Sequence, residues 1–282
     1  MAEPLGLVNR ILAPSFLDGP GARLAVFLQG CDLACGYCHN PETWNACSAC
    51  GQCLPGCPGD ALVLVEGRLR HDPSRCLACD RCLEACASHA SPRAMTMTVD
   101  QLLARARPWA PFLDGVTFSG GECTLQWPFL LACLPRLAEL GLPTLLDSNG
   151  NMAEEVLEAL LPACAGLLFD LKALDPDRHL ALTGAGNGRI LANLARAAAA
   201  GKVTEVRAVL LPGISDDEAS VRELAELVLG LGGQVPLRLS PYRPQGVRGS
   251  WAQVPALAPE AFARLCRAAS AVLGPRLIHA YP

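Results

Sequence analysis

From residue 95 onward, short apolar runs alternate with longer stretches in which apolar residues recur every three or four positions. Short apolar runs of this kind predict β-strands, and the three-to-four spacing predicts amphipathic helices. The run at residues 23–30 predicts one earlier strand. The other predicted strands cover residues 115–121, 143–149, 166–172, 204–213 and 236–242.

This alternation, with crossovers of helical length, predicts an α/β protein in which helices cover a parallel sheet. Six strand–helix repeats, rather than eight, indicate an open or partial barrel. In such folds the chemistry lies at the C-terminal ends of the strands. The polar, Gly-rich segments at those ends are therefore the candidate site segments: CDLACGYC, SGGE, DSNG, DLK, LPG and SPYR.

Residues 42–92 interrupt the alternation because they are rich in Cys and poor in apolar residues. Such a segment is typical of an insertion that metal, rather than a hydrophobic core, holds together. We therefore predict one domain formed by residues 1–41 and 93–282, and an inserted domain formed by residues 42–92.

The composition narrows the function classes. The 282 residues are 51% hydrophobic and 18% charged, which is enough apolar material for a large core. The net charge is −4 and Lys and Arg form no dense run, which argues against nucleic acid as a partner. The N-terminal segment lacks the apolar stretch of a signal peptide, and no run approaches the ~20 apolar residues of a membrane span. We expect a cytoplasmic protein with no membrane partner.

Fifteen cysteines are present, and without an export signal they favour metal binding over disulfides. Eleven of them lie between residues 31 and 86. The other four stand singly among apolar residues, and we interpret them as small core side chains: Cys123, Cys133, Cys164 and Cys266.

Two runs in the insertion share the spacing C-x2-C-x2-C-x3-C, which is the pattern of bacterial two-cluster ferredoxins. In that pattern the fourth Cys of each run binds the other cluster. Zinc bound by CxxC pairs is the alternative, but zinc does not explain a third and a fourth Cys at matched offsets. The pattern predicts one 4Fe–4S cluster on Cys47, Cys50, Cys53 and Cys86, and a second on Cys57, Cys76, Cys79 and Cys82.

The segment CDLACGYC contains three further thiols, Cys31, Cys35 and Cys38, and no fourth Cys is left nearby. Three thiolates on a 4Fe–4S cluster leave one iron without a protein ligand. An open metal position is what a catalytic site keeps for its substrate. A molecule with an amine and a carboxylate on adjacent carbons could occupy it.

The spacing CxxxCxxC, with an aromatic residue before the last Cys, resembles the signature of the radical S-adenosylmethionine (SAM) enzymes, whose fold is a partial α/β barrel. The resemblance implies that the methionine end of SAM binds the open iron. It also implies that one electron from the cluster cleaves the sulfonium, giving methionine and a 5′-deoxyadenosyl radical. No catalytic residue beyond the cluster ligands is implied.

The segment SGGE resembles the GGE motif of this family, and DSNG and DLK resemble further parts of its cofactor site. By this resemblance Glu122 meets the ammonium group, Lys172 pairs with the carboxylate, and two aspartates balance the ammonium or hold a monovalent cation. Each segment alone could be an ordinary turn or a solvated charge. The implied cofactor contacts are Tyr37, His39, Gly120, Gly121, Glu122, Asp147, Ser148, Asn149, Asp170 and Lys172.

The segments at 18–31, DGPGARLAVFLQGC, and 37–44, YCHNPETW, resemble the activating enzymes of glycyl-radical enzymes. The Cys-rich insertion after CHNP is similar to activases with a ferredoxin-like domain, and LLDSNG, DLKA, LTG and GVRG are most similar to the YjjW type. The resemblance implies an oxidoreductase that removes a hydrogen atom from the Cα of a glycine in a partner glycyl-radical enzyme. One alternative is a radical SAM enzyme for a small molecule or peptide; another is a non-catalytic electron carrier or zinc module.

Several roles stay open at this point. Asp18 and Arg23 are candidates for contacting the partner's glycine loop, but Asp18-Gly-Pro-Gly could merely form a turn. The two auxiliary clusters could relay electrons from flavodoxin or ferredoxin, or serve as a docking platform. Arg243 stands where the family has a His, so the adenosine contact there is not assigned. Arg207 could face the site or form a structural ion pair.

Overall fold

The computed structural model describes residues 3–279, which form two compact units. The first unit comprises the residues up to Asp32 together with Asn40–Leu142. The second comprises Leu33–His39 together with the residues from Pro143 onward. The predicted insertion therefore lies within the first unit, and the CDLACGYC segment is divided between the two.

The first unit combines a mixed sheet with a separate hairpin. Its strands are β1 (Gly6–Ser15), β2 (Arg23–Leu28), β3 (Leu62–Val65), β4 (Arg68–His71), β5 (Met95–Met97) and β6 (Gly115–Gly120). Its α-helices are α1 (Arg81–Glu84), α2 (Val99–Ala106) and α3 (Trp127–Glu139). Strands β6, β2, β1 and β5 lie side by side in that order; β2 and β6 are parallel, and β1 is antiparallel to both of its neighbours. The hairpin of β3 and β4 lies within the Cys-rich insertion.

The sequence accounts for the difference between β2 and β1. All six residues of β2, RLAVFL, are buried, and the five after Arg23 form the continuous apolar run that is typical of a strand covered on both faces. In β1 buried or half-buried positions alternate with exposed ones over most of its length, which is the period of a strand with one solvated face. Helix α2 begins at Thr98, where Thr98 and Gln101 form a reciprocal capping box.

The second unit is a parallel sheet with helices between its strands. The strands are β7 (Thr144–Ser148), β8 (Gly166–Asp170), β9 (Val203–Leu210), β10 (Leu237–Pro241) and β11 (Leu277–His279), and they pair in chain order. Each of these pairings is parallel. The helices are α4 (Glu154–Leu160), α5 (Pro176–Thr183), α6 (Gly188–Ala199), α7 (Glu218–Gly230) and α8 (Pro259–Leu273).

The predicted α/β class with a mostly parallel sheet is confirmed, and each of the six predicted strands has an observed counterpart, β2 and β6 to β10. The sequence prediction missed β1, β5, β11 and the hairpin of β3 and β4. Within residues 3–279, no helix combines the length and the apolar character that a membrane span needs.

Arg23, at the start of β2, is a structural residue of the first unit. Only 4% of its surface is exposed, and burial lowers the pKa of its guanidinium. The guanidinium donates to Thr117 Oγ1 at 3.1 Å, to Asp114 O at 3.3 Å and to Val116 O. These bonds tie β2 to the beginning of β6, so we do not carry Arg23 forward as a contact for a partner protein.

We predict that replacing Arg23 by Met lowers the free energy of unfolding by about 1–3 kcal/mol, because buried carbonyl groups lose their donor. Urea unfolding followed by circular dichroism measures this loss. Arg136→Met is the matched control. Arg136 pairs with Asp100 at 3.0 Å, with both side chains exposed, so its loss should cost less than about 0.5 kcal/mol. Equal effects of the two substitutions would contradict the structural role of Arg23.

Candidate active site

Cys31 lies shortly after the C-terminal end of strand β2, in the first unit. Gly30 follows the strand with φ +108°, a backbone conformation that glycine adopts without strain. Its N–H donates to Thr43 O at 2.7 Å, and the N–H of Cys31 donates to Trp44 O at 3.0 Å. The backbone before and at Cys31 is thus fixed by the segment that enters the insertion.

The glycines of SGGE pack against this same backbone. A Cβ at Gly120 would lie 2.2 Å from Leu28 O, and a Cβ at Gly121 would lie 2.1 Å from Gly30 O. The N–H of Gly121 donates to Leu28 O at 3.1 Å, and that of Glu122 donates to Gly30 O at 2.7 Å. These two positions require glycine because β6 and the end of β2 approach each other closely.

The carboxylate of Glu122 is buried, with 1% of the residue exposed. Its Oε1 accepts from the backbone N–H of Thr124 at 3.1 Å and from Thr124 Oγ1 at 2.7 Å. Glu122 therefore caps the short 3₁₀ helix Cys123–Gln126. Its predicted bond to an ammonium group stays a prediction.

In the second unit, the segment 33–39 is held by the end of helix α5. Ala34 donates its N–H to Thr183 O at 2.9 Å, and Gly36 donates to Leu182 O at 3.0 Å. Carbonyls in the last turn of a helix have no partner inside the helix, so these bonds satisfy both elements. The bonds fix the backbone on either side of Cys35.

Cys35 is buried, and burial raises the pKa of its thiol to about 11. Such a thiol stays protonated at neutral pH unless a cation takes the place of its proton. Metal ligation requires the thiolate and supplies that positive charge. The surroundings of Cys35 are therefore those of a core cysteine or of a metal ligand, and not those of a free nucleophile.

Lys172 and Asp170, at the end of β8, form an ion pair in which Nζ and Oδ2 are 2.7 Å apart. Burial acts to lower the pKa of Lys172, but neighbouring acidic groups, Asp170 foremost, raise it well above its usual value. Lys172 is therefore a fixed positive charge. It also lines a cavity of about 300 Å³ at the ends of β8 and β9.

Asp147, at the end of β7, faces Arg207. The distance from its Oδ1 to Arg207 Nη1 is 3.4 Å, and Arg207 Nε lies 2.6 Å from Glu205 Oε1. Arg238 Nε also donates to Glu205, at 2.8 Å. Burial opposes the charge of Arg207, yet Asp147 and Glu205 outweigh it and raise the Arg207 pKa. The sequence analysis left open whether Arg207 faces the site or forms a structural ion pair, and the structure shows the ion pair.

Ser148 and Asn149 shape the turn after β7. Ser148 Oγ accepts from the N–H of Gly150 at 3.0 Å, and Asn149 Oδ1 accepts from the N–H of Asn151 at 2.8 Å. Both side chains are buried. Their predicted contact with a cofactor stays a prediction.

Tyr37 and His39 lie beside the segment that follows β10. The ring of Tyr37 makes an edge contact with Trp251 at a centroid distance of 6.0 Å, and its hydroxyl is buried without a hydrogen-bond partner within residues 3–279. His39 donates from Nε2 to the backbone O of Arg243 at 2.9 Å. Arg243, which departs from the family pattern, thus meets His39 through its main chain.

Asp18 belongs to the turn before β2. Its Oδ2 accepts from Ser15 Oγ, and its backbone O accepts from Thr117 Oγ1 at 2.6 Å. The six residues of β2 span roughly 20 Å between this turn and the end that leads to Cys31. These contacts favour the turn interpretation of Asp18.

The Cys-rich insertion is a structural duplication with an offset of 29 residues. Left-handed backbone conformations recur in the pairs Ala49 and Ala78, Gly51 and Asp80, and Asp60 and His89. The fourth Cys of each run accepts a backbone hydrogen bond from the residue four positions on. Ala61 donates to Cys57 Sγ at 3.3 Å, and Ala90 donates to Cys86 Sγ at 3.4 Å.

One small cavity in the insertion is lined by Cys47, Cys50, Cys53 and Cys86, together with neighbouring small and polar residues. It thus combines three cysteines of the first run with the fourth of the second, as the crossed pattern predicts. Burial raises the pKa of Cys53 to about 11. Within residues 3–279, no three His, Cys, Asp or Glu side chains are close enough to hold a single metal ion. A 4Fe–4S cluster binds each thiolate through a different iron.

Residues 25–225, well over half of the chain, match the radical SAM superfamily. This chain belongs to the radical SAM superfamily. It is 32% identical over 253 residues to a pyruvate formate-lyase-activating enzyme of Staphylococcus aureus (strain USA300), covering 86% of this chain and 83% of that protein.

The radical SAM fold recurs in solved structures. A domain of a pyruvate-formate lyase-activating enzyme from Bacteroides vulgatus ATCC 8482 superposes with a TM-score of 0.52 and 26% identity, covering 59% of this chain and 99% of that one. QueE from Escherichia coli superposes with a TM-score of 0.56, covering 99% of this chain and 95% of that one. QueE shares 14% identity with this chain, so that likeness concerns the fold alone.

Radical SAM membership implies a 4Fe–4S cluster and SAM, and the residues fit both. The thiol of Cys35 needs a cation to ionise, which cluster iron supplies. In the second unit, Lys172 offers a fixed positive charge suited to a carboxylate, and the unpaired hydroxyl of Tyr37 offers a donor. A buried polar atom without a partner is costly, so a ligand that satisfies it is favoured.

The sequence analysis missed three buried polar residues that support these loops. Asn193 Nδ2 donates to Gly150 O and Met152 O, both at 2.8 Å, behind the turn after β7. Asn187 Nδ2 donates to Ala173 O and Leu174 O behind Lys172. For Asn193 the available signal was a polar residue on the apolar face of a predicted helix.

His179 is the third such residue. It is fully buried in α5, and its Nδ1 lies 2.7 Å from Ala185 O, so Nδ1 carries the proton. Burial lowers the pKa of His179, with Lys172 acting in the same direction, so the ring is neutral. Thr183, whose carbonyl holds Ala34, bonds to His179 as well. His179 thus supports the end of α5 that carries the cysteine loop.

We predict that His179→Asn keeps this support and His179→Gln loses it, because an Asn amide can occupy the position of Nδ1 and a Gln amide reaches toward Nε2. The Gln variant should lose about 1–3 kcal/mol of stability and release iron faster to a chelator. Thermal unfolding and chelator kinetics of the anaerobically loaded protein measure both. Equal behaviour of the Asn and Gln variants would contradict the assignment.

Proposed function

We propose that this chain is an activating enzyme that uses SAM to remove a hydrogen atom from a glycine of a partner glycyl-radical enzyme. One observation carries the proposal. The chain is 32% identical, over 86% of its length, to a pyruvate formate-lyase-activating enzyme. The CHNP and DGPG segments, which resemble those of activases, also support the proposal.

Cys31, Cys35 and Cys38 are the proposed ligands of the catalytic 4Fe–4S cluster, with one iron left to SAM. Together, the reduced cluster and bound SAM supply a 5′-deoxyadenosyl radical, which abstracts the hydrogen atom. The chain's own contribution is to hold the loop. The backbone bonds at Gly30 and Cys31 fix the start of the loop in the first unit, and those at Ala34 and Gly36 fix its continuation in the second.

The proposed SAM contacts follow from charge. Lys172, a fixed cation, pairs with the methionine carboxylate, and Asp170 and Glu122 attract the ammonium group. Tyr37 and His39 are the proposed adenosine contacts, and Gly120 and Gly121 are proposed to approach the cofactor through their backbone. Asp147, Ser148 and Asn149 are the remaining proposed SAM contacts. A monovalent cation at Asp147 and Asp170 would share those carboxylates with Arg207 and Lys172.

We further propose that the insertion binds two auxiliary 4Fe–4S clusters in a ferredoxin-like arrangement, as in YjjW-type activases. The duplicated backbone conformations and the cavity lined by Cys47, Cys50, Cys53 and Cys86 support this proposal. The two auxiliary clusters would then relay electrons from flavodoxin or ferredoxin to the catalytic cluster, for a total of three clusters. The segment after the second run returns to the catalytic loop: Asn45 bonds to His89, and its neighbour Trp44 bonds to Cys31.

We predict that the reduced holoenzyme, mixed anaerobically with SAM and its partner, yields the doublet of a glycyl radical in electron paramagnetic resonance (EPR). Candidate partners are glycyl-radical enzymes encoded beside this chain. Cys35→Ala is the control and should abolish the doublet, because the catalytic cluster loses a ligand. Replacing the radical-bearing glycine of the partner by Ala should also abolish it.

The outcome that would contradict the proposal is specific. If SAM is cleaved in the presence of every candidate partner and no doublet appears, the substrate is not a glycine of those proteins. The alternative, a radical SAM enzyme acting on a small molecule or peptide, would then be favoured.

A further inference from the structure

A buried glutamine, Gln29, lies shortly before Cys31, at the start of the loop that carries it. Only 3% of the surface of Gln29 is exposed. Its Nε2 donates to two backbone carbonyls, Glu42 O at 2.7 Å and Asn45 O at 2.6 Å. Its Oε1 accepts from Asn9 Nδ2 at 2.7 Å. The amide of Gln29 is therefore fully engaged inside the first unit.

This amide completes a set of four hydrogen bonds, which we call the carbonyl clamp. The N–H groups of Gly30 and Cys31 donate to the carbonyls of residues 43 and 44. The side chain of Gln29 takes the carbonyls on either side, those of residues 42 and 45. The backbone N–H of Gln29 is engaged with Leu7 O at 2.9 Å, so the side chain supplies the two outer donors. Residues 29–31 thus hold four consecutive carbonyls.

Both ends of the Cys-rich insertion meet at the carbonyl clamp. Asn45 donates from its N–H to His89 O at 3.3 Å and from Nδ2 to Ser88 O at 2.8 Å. The ring of Trp44 lies 4.8 Å from that of His89, centroid to centroid. The segment that enters the insertion is therefore bound both to the start of the cysteine loop and to the segment that leaves the insertion.

A bonded path leads from the carbonyl clamp to a proposed metal ligand. Thr43, whose carbonyl accepts from Gly30, forms an antiparallel bridge with Ala90. The N–H of Ala90 donates to Cys86 Sγ at 3.4 Å. The position of Thr43 therefore depends on how the insertion is folded around Cys86.

The insertion has little core of its own. Three of the four residues of β3 are exposed, and β4 alternates exposed with half-buried residues. A segment that buries so little apolar surface takes its order from its metal ligands. We propose that the metal-loaded insertion is a structural part of the catalytic site, with Gln29 as the positioning residue that joins it to Cys31. This inference rests on the proposed two-cluster insertion and gives it a role beyond electron transfer.

Loss of the catalytic cluster to an iron chelator tests the role of Gln29. The full chain is loaded anaerobically, and aliquots reduced with dithionite report the cluster through the EPR change that SAM induces. Gln29→Met keeps the length of the side chain and removes its amide. The loss should then be about tenfold faster, as expected when two ordinary hydrogen bonds are removed.

Gln126→Met is the matched control. The side chain of Gln126 also makes three hydrogen bonds in the first unit, but to the N–H and O of Leu7 and to the backbone O of Gln29. None of these bonds belongs to the carbonyl clamp. Gln126→Met should therefore change the rate of cluster loss by less than about twofold, even where its effect on thermal unfolding matches that of Gln29→Met.

A second pair of variants tests the insertion without changing the carbonyl clamp. Cys86→Ala and Cys57→Ala each remove the fourth cysteine of one run. Ala90, which donates to Cys86, bridges to the clamp, whereas Ala61, which donates to Cys57, bonds within the insertion. Cys86→Ala should therefore speed the loss of the catalytic cluster about tenfold, and Cys57→Ala by less than about twofold. This pair decides the question if Gln29→Met does not fold.

Equal rates in the two glutamine variants would mean that the clamp is ordinary support of the fold, and equal rates in the two cysteine variants would separate the insertion from the catalytic site. Either result overturns this inference and leaves the proposed function intact. About four irons per chain, instead of about twelve, would overturn the two-cluster insertion and this inference together. Fully loaded wild-type protein that yields no 5′-deoxyadenosine would overturn the proposed function, and this inference with it.

Discussion

The loop that carries Cys31, Cys35 and Cys38 contains no helix or strand, so several of its backbone groups bond to neighbouring segments. In the first unit, Gly30 and Cys31 donate to the segment Thr43–Trp44. In the second, Ala34 and Gly36 donate to the last carbonyls of α5. These bonds fix the backbone at Cys31 in the first unit and on either side of Cys35 in the second. The glycine pair of SGGE supports the first segment, and His179 supports the second.

Local pattern was sufficient to predict the parallel strands, because a buried strand such as RLAVFL is apolar at every position after Arg23. It was insufficient for β1, whose side chains alternate, and for β5 and β11, which have three residues each. The cysteines could be grouped from spacing alone, since ligand spacing is local. The roles of Arg23, His179 and Asn193 could not be predicted, because each bonds to backbone far along the chain or to a turn whose geometry the sequence does not reveal.

Charge compensation is common to the two aspartates that the sequence analysis assigned to the cofactor site. Asp147 faces Arg207, and Asp170 faces Lys172. The sequence motifs placed these carboxylates at strand ends but could not show that each already has a cation beside it. The insertion contains a similar pair, in which Arg93 Nη2 lies 2.6 Å from Asp80 Oδ1.

The central claim is that the cluster of Cys31, Cys35 and Cys38 keeps one iron open for SAM. The most direct measurement is EPR of the reduced protein with and without SAM, combined with quantification of 5′-deoxyadenosine after addition of dithionite. The account predicts that SAM changes the signal of one cluster and that 5′-deoxyadenosine accumulates. An unchanged spectrum and no 5′-deoxyadenosine, in protein with its full iron content, would contradict it.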